Sequence, residues 1–157
     1  MTGGVDSAQF RQLLGRFATG VSVLTALDAD RLPQGMTASS IASVSLVPPL
    51  LLVAVDHAND MHAAMRATTQ FVVNILAVDQ EALARAFAAE TTNRFAGVGY
   101  RENRHGVPVL DGAVAHIECT KQAEVPGGDH TVFFGLVTGG ETWERKPLLY
   151  FRGGYGL

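Results

Sequence analysis

Gly35-Met-Thr-Ala-Ser-Ser-Ile-Ala-Ser-Val-Ser-Leu46, followed by Val47-Pro48-Pro49 and Leu50-Leu-Leu-Val-Ala-Val55, is the stretch that decides the fold. Hydroxyl residues stand at 37, 39, 40, 43 and 45, and the two prolines then punctuate the chain. Leu50 to Val55 is apolar at every position, which predicts a strand buried on both faces. Upstream, Val21 to Ala26 alternates and is rich in β-branched residues, so it reads as a strand. Asp28 to Gln34 carries Asp, Arg and Pro, which suits a hairpin connection between the two. Before that, Ser7 caps a helix in which Phe10, Leu13, Leu14 and Phe17 form one apolar face, ended by Gly20. Downstream, Asn59 or Asp60 caps a short helix through Ala67, and Phe71 to Leu76 is a strand. Asp79 caps a helix with Leu83 and Phe87 on one face. Glu90 to Leu110 is irregular, and Ala113 to Gln122, Thr131 to Thr138 and Leu148 to Arg152 read as strands. Six or seven strands joined mostly by turns predict a mainly β, antiparallel barrel with three short helices rather than a doubly wound parallel sheet.

The chain has 157 residues, enough for one domain with a loose tail at residues 1–6. Hydrophobic residues make up 47% and charged residues 17%, which excludes extended disorder. The net charge of -3 offers no basic field for a phosphate backbone, so nucleic acid is not an expected partner. Cys119 is the only cysteine, which excludes an intrachain disulfide and fits a reducing cytoplasm. No charged, apolar leader opens the chain, and its longest apolar run, Pro49 to Val55, falls far short of the roughly 20 residues that span a bilayer. A cytoplasmic protein without membrane contact is expected.

The familiar catalytic motifs are absent: no G-x-G-x-x-G, no phosphate-binding G-x-x-x-x-G-K-[ST], no H-E-x-x-H, no C-x-x-C and no G-x-S-x-G elbow. Only His57 and His62 are close, and their spacing does not suit one helix face, so no metal site is expected. Three segments have the chemistry of a binding site. The hydroxyls and amides of Thr37 to Ser45 can ring a phosphate or the polar edge of an aromatic cofactor; a half-buried strand with a polar outer face accounts for them equally. Gly127-Gly-Asp-His-Thr131 sets His130 at the mouth of a strand, where it meets a ligand or simply closes a hairpin. Tyr150-Phe-Arg-Gly-Gly-Tyr155 lets backbone approach a flat ligand at Gly153-Gly154, beside Arg152 and Tyr155, or is a frayed end.

Taken in order, these segments resemble the short-chain flavin reductases, the reductase components of two-component flavin-dependent monooxygenases. The resemblance rests on Gly15-Arg-Phe-Ala-Thr-Gly-Val-Ser-Val-Leu-Thr25, Gly35 to Ser40 with Ser43-Val-Ser-Leu46, Pro48-Pro49, Phe71-Val-Val-Asn-Ile-Leu76, Gly128-Asp-His-Thr131 and Tyr150 to Tyr155. It implies a split antiparallel β-barrel that forms a homodimer, binds FMN or FAD, and takes electrons from NADH, or NADPH. It assigns Thr37, Ala38, Ser39, Ser40, Ile41, Ser43 and Val44 to the flavin, His57 and Asn59 to its phosphate side, and Phe87 and Ala88 to positions near it. His130, Arg152, Gly153, Gly154 and Tyr155 match positions associated with the nicotinamide nucleotide. Asp56-His-Ala-Asn-Asp60 carries two acids and no fixed positive charge where relatives carry Lys, Arg, Ser or Thr. Weak, exchangeable flavin binding is therefore expected.

The resemblance further implies that the cofactors carry the hard chemistry, so neither nucleophile nor metal is required of the protein. Reduced flavin would leave by diffusion to a partner monooxygenase. Two other readings stay open at this point: a flavin-binding barrel that reduces another bound substrate, such as a corrin metal centre, and a barrel that has lost its cofactor.

Overall fold

The computed structural model describes residues 3–156; Met1 and Thr2 of the expected tail lie outside the described residues. In chain order the elements are α1 (Ser7–Leu14), β1 (Thr19–Gly20), β2 (Ser22–Leu27), β3 (Pro33–Ala38), β4 (Ile41–Leu46), β5 (Pro49–Asp56), α2 (Asp60–Ala67), β6 (Gln70–Ile75), α3 (Glu81–Ala88), β7 (Tyr100–Glu102), β8 (Pro108–Leu110), β9 (Ala115–Gly127), β10 (His130–Thr142), β11 (Leu149–Phe151) and β12 (Gly154–Tyr155). Seven of them form one antiparallel sheet in the order β3-β2-β6-β9-β10-β5-β4.

That order forces the sheet to curl. At about 4.8 Å between neighbours, the outer strands of a flat seven-stranded sheet would stand about 29 Å apart. Yet β3 and β4 are those outer strands, and only Ser39 and Ser40 separate them in the chain. Three Cα–Cα steps reach at most about 11 Å. The sheet therefore bends round until its edges meet at Ser39–Ser40, where Ser40 O accepts from Ala54 N at 3.1 Å. The hydroxyl-rich stretch is thus two strands on opposite edges of a split barrel.

The barrel is filled by Leu24, Ala26, Leu51, Val53, Val55, Phe71, Val73 and Phe133, and Met61, Ala64 and Met65 of α2 complete the same cluster. α2 starts where predicted, because Asn59 Oδ1 accepts from Met61 N at 2.9 Å. The expected alternation in β2 is overturned: all six residues are buried. Leu24 and Ala26 face the barrel, while Val23 joins a second cluster outside it with Leu76, Ala84, Phe87, Leu110 and Leu148. The cover on that outer face is the segment read as irregular, which contains the hairpin β7–β8. Two buried polar groups pin it there. Asn74 accepts from Leu110 N at 2.9 Å and donates to Val23 O at 3.0 Å, and Thr25 Oγ1 donates to Pro108 O at 2.7 Å. These bonds satisfy polar groups that would otherwise be orphaned in an apolar layer.

Other expectations shift. Asp6, not Ser7, caps α1, since its carboxylate accepts from Gln9 N at 2.8 Å. Gln80, not Asp79, precedes α3; its side chain instead accepts from Ala77 N and donates to Asp111 O. β5 alternates: Leu51, Val53 and Val55 are buried, and Leu50, Leu52 and Ala54 are half-covered. β9 and β10 run on to 13 residues each. α1 stops at Leu14 with Gly15 as its cap, not at Gly20, so Phe17 lies beyond it; Phe10 on the helix and Phe17 after it are 55% and 73% exposed.

Candidate active site

Three clefts meet around the end of α3. One, of about 740 Å³, lies between the start of α2 and the segment after α3, and is lined by Asn59, Asp60, Ala88, Thr91, Thr92 and Arg94 among others. A second, of about 640 Å³, shares Asp60, Thr91, Thr92 and Arg94 and runs on to Gln34 and Gly35. A third, of about 350 Å³, shares Ala88 and reaches Arg85, Tyr150, Gly153 and Tyr155. Ala88 thus joins the α2 side to the C-terminal hairpin, and Arg94 joins it to β3.

Arg94 supplies the fixed positive charge that Asp56–Asp60 lacks. Its Nε donates to Ala89 O at 3.0 Å and its Nη1 to Gly35 O at 3.3 Å, which ties the segment after α3 to the β3 edge. No pattern marked it: it is a single arginine in a segment without periodicity, and only folding brings it beside Asn59 and Ala88. On the far side of the C-terminal turn, Arg11, Arg16 and Arg152 line a further groove, and none has an acidic partner among the described residues. Arg11 and Arg16 were likewise not singled out in the sequence.

The C-terminal segment is a built hairpin rather than a frayed end. Arg152 and Gly153 both take positive φ, 53° and 78°, as a two-residue primed turn requires. Arg152 N donates to Gly15 O at 2.8 Å, and Tyr150 pairs with Tyr155. The two tyrosine rings meet edge to face at 5.3 Å, and the Arg85 guanidinium lies 4.9 Å from the Tyr155 ring centre. Burial raises the Tyr155 phenol above its ordinary value, so it stays protonated and can donate.

The residues expected from the sequence divide. Asn59, Ala88, Gly153 and Tyr155 line the joined clefts, and Gly154 pairs in the same hairpin; Arg152 faces the neighbouring arginine groove. Ser39 and Ser40 are exposed at the seam, although the Ser40 hydroxyl donates to Ala54 O at 2.7 Å. Ser43 and Val44 lie exposed on β4, with Ile41 half-buried. Thr37 is turned inward, its hydroxyl donating to Ala84 O at 2.6 Å, and Ala38 is buried in the core. Phe87 is also core, 1% exposed, and packs against Gly35 and Phe95. The apolar face of α3 carries Phe87 inward, so only the neighbouring Ala88 reaches the cleft.

His130 opens β10, paired with Asp56 and Gly127 across a turn formed by Gly128 and Asp129. Its Nδ1 lies 2.7 Å from Asp129 Oδ1. This bond holds the Asp129 carboxyl below its ordinary range and, for its part, directs the ring so that Nε2 points away from the turn. His57 belongs to the same corner but lines none of the three clefts; its Nε2 is 3.1 Å from Thr131 Oγ1. Cys119 is buried and its thiol is pushed up to about 12, which removes it as a nucleophile.

A curled barrel whose clefts are lined by arginine, tyrosine and backbone has the chemistry to hold and orient nucleotide-like ligands. The chain belongs to the flavin reductase like domain family, whose sequence profile matches residues 14–156. It is 39% identical over 152 residues to the reductase subunit HsaB of a flavin-dependent monooxygenase from Rhodococcus jostii, covering 96% of this chain and 77% of that one. It is 38% identical over 154 residues to the FMN reductase (NADH) SmoA of Agrobacterium fabrum, covering 98% and 87%. The fold superposes on the Streptomyces globisporus NADH:FAD oxidoreductase SgcE6, solved with NAD and FAD fragments, with a TM-score of 0.92 at 39% identity, covering 97% and 92%. Among the described residues no helix is long and apolar enough to cross a membrane.

Proposed function

We propose that this chain reduces FMN or FAD at the expense of NADH, with NADPH as the other donor to test, and releases reduced flavin to a partner monooxygenase. The observation that carries this reading is membership of the flavin reductase family over nearly the whole chain, in a molecule whose clefts converge on Ala88 and Arg94. The residues fit the two nucleotides. Arg94 on one side and Arg11, Arg16 and Arg152 on the other match ligands that carry phosphate at one end. Tyr150, Tyr155 and the glycine turn offer a flat, closely approachable wall.

When both nucleotides are bound, the nicotinamide supplies a hydride to the flavin ring. The chain's task is to stack and orient. Arg94 neutralises phosphate beside the α2 start. The amides and exposed Ser39 hydroxyl at the seam donate to the polar edge of the flavin ring, where negative charge grows on reduction. Asp129 holds the His130 ring, and His130 contacts the nicotinamide nucleotide without transferring a proton. The open mouths of the clefts support exchange rather than permanent retention of flavin. The exposed face of α1 and the open β4 edge support a homodimer, in which Phe10, Leu13, Leu14 and Phe17 meet a second copy. A single functional unit in the cytoplasm accords with the one buried thiol.

The test is steady-state oxidation of NADH or NADPH with FMN or FAD varied. Saturable turnover that depends on free flavin is expected. No turnover with any of the four pairs would overturn the proposal. Flavin that co-elutes with the protein through gel filtration at micromolar concentration would overturn exchangeable binding.

A further inference from the structure

The corner that holds His130 also gathers two imidazoles that the proposed reaction does not use. His57 lies in the turn after β5, and His62 lies in α2. Five residues apart on one helix they would face different ways, but only His62 is helical. The His57 amide donates to Asp129 O at 3.0 Å, which fixes the turn against the β9–β10 hairpin. The two rings then sit 4.8 Å apart, edge to face. Both Nε2 atoms converge on one oxygen: Thr131 Oγ1 is 3.1 Å from that of His57 and 2.8 Å from that of His62.

A threonine hydroxyl has one proton, so it can donate to only one of the two imidazoles. At least one ring must therefore donate its own Nε2–H to the hydroxyl oxygen, whose two lone pairs can also accept from both. We propose that His57 and His62 together bind a borderline divalent transition metal ion, of the class of Zn²⁺, Ni²⁺ or Cu²⁺, at the junction of the β5 turn and α2. Neutral imidazole suits these ions and not Mg²⁺ or Ca²⁺. An ion accepting both Nε2 lone pairs would place both rings in the same tautomer, with each Nδ1–H turned outward.

The geometry agrees with this assignment. Two nitrogens so close to one oxygen are less than about 6 Å apart, and tetrahedral zinc at about 2.0–2.1 Å needs them about 3.4 Å apart. Rotation of the two side chains is the movement that would bring them there. His62 is anchored between Met61 and Met65, both buried, and Thr131 pairs in the sheet with Val55. His57 is exposed, so an ion can enter from solvent. The carboxylates of Asp56 and Glu124 share this corner with Arg66 and Lys121, which lie 3.6 and 3.1 Å from Glu124, so the imidazole nitrogens and not a net negative charge carry the binding. Among the described residues no set of three or more His, Cys, Asp and Glu side chains surrounds it. Water therefore completes the shell, and the affinity is micromolar rather than that of a structural zinc site.

The proposal does not depend on flavin reduction, and its test reads metal binding alone. Zn²⁺ is titrated into the full chain in competition with a chromophoric chelator, and Co²⁺ replaces it for its visible spectrum. One ion per chain is expected, with no competition from Mg²⁺. His57→Gln and His62→Gln should each weaken Zn²⁺ by about tenfold or more, while His105→Gln leaves it unchanged. Zn²⁺ should raise the melting temperature of the parent protein and not of either variant, because it binds only the folded arrangement. If His62→Gln does not fold, the exposed His57 still decides the matter. Absence of micromolar Zn²⁺ binding, or binding unmoved by His57→Gln, would overturn the site.

Discussion

Replacing Arg94 with alanine tests whether the positive charge on the phosphate side comes from a segment that the sequence left unmarked. The guanidinium has two jobs in the structure. It donates to Ala89 O and Gly35 O, at 3.0 and 3.3 Å, and it lines both clefts on the α2 side. Losing two bonds to carbonyls at about 0.5–1.5 kcal/mol each costs about 1–3 kcal/mol of stability. A charge-assisted bond to phosphate adds about 1.5–3 kcal/mol to binding. At about 1.4 kcal/mol per factor of ten, the lower half of that range suits a cleft open to water, so the KM for flavin should rise about 10- to 40-fold. The fall in kcat should be much smaller, because nothing that touches the reacting rings changes. Arg94→Lys keeps the charge without the planar fork, so it should restore part of the affinity and less of the stability. The assay is NADH oxidation with FMN and FAD varied, at two salt concentrations, alongside thermal melting. The rise in KM should shrink at high salt, where charges are screened within about 3 Å. A folded Arg94→Ala protein with a flavin KM within about twofold of the parent would refute the assignment, as would a collapse of kcat at unchanged KM.

His130→Ala should raise the KM for NADH more than it lowers kcat; the reverse pattern would make His130 a participant in the chemical step. Gly35→Ala would put a Cβ 2.7 Å from Phe87 Cε1, against a fully buried ring, so it should cost about 1–3 kcal/mol, and at about 2–4 °C per kcal/mol an unchanged melting temperature would contradict the packing described. His116 is 4% exposed with its Nδ1 unpartnered, and burial holds it below the ordinary imidazole value of 6.5. The unfolded chain therefore takes up the proton first, so stability is full above pH 6.5 and falls as pH drops from there towards the lower folded value. Urea unfolding between about pH 7.5 and 5 should show this loss, and His116→Gln should remove part of it; equal slopes in both proteins would exclude His116 as a source.

Local patterns were legible wherever local chemistry makes the element. The β2–β3 hairpin rests on Asp28, whose carboxylate accepts from Asp30 N and Leu32 N, and α2 begins at an asparagine cap. Asn59, Ala88, Gly153 and Tyr155 were named from the order of short motifs, and the fold brings them to joined clefts. Side-chain direction was not legible at Thr37, Ala38 and Phe87. Each sits beside the site in sequence; Thr37 and Phe87 are turned inward by partners far along the chain, Ala84 and Gly35, and Ala38 is buried in the barrel core.

The class of fold and the turn-linked antiparallel strands were written in the chain itself, because periodicity, caps and turn residues act over a few neighbouring positions; the ligand chemistry entered through the order of motifs that resembles the flavin reductases. Tertiary structure decided which strands became edges, since the pairing of β3 and β4 with opposite sides of the sheet appears nowhere in their own residues. It also decided that Asn74 and Thr25 would pin the segment between α3 and β9 over the outside of the barrel. That fold-over carries Arg94 to Ala88, and the turn after β5 carries His57 to His62. Both meetings depend on long-range packing, where hydrophobic burial sets the path of the chain and the polar groups arrive as passengers.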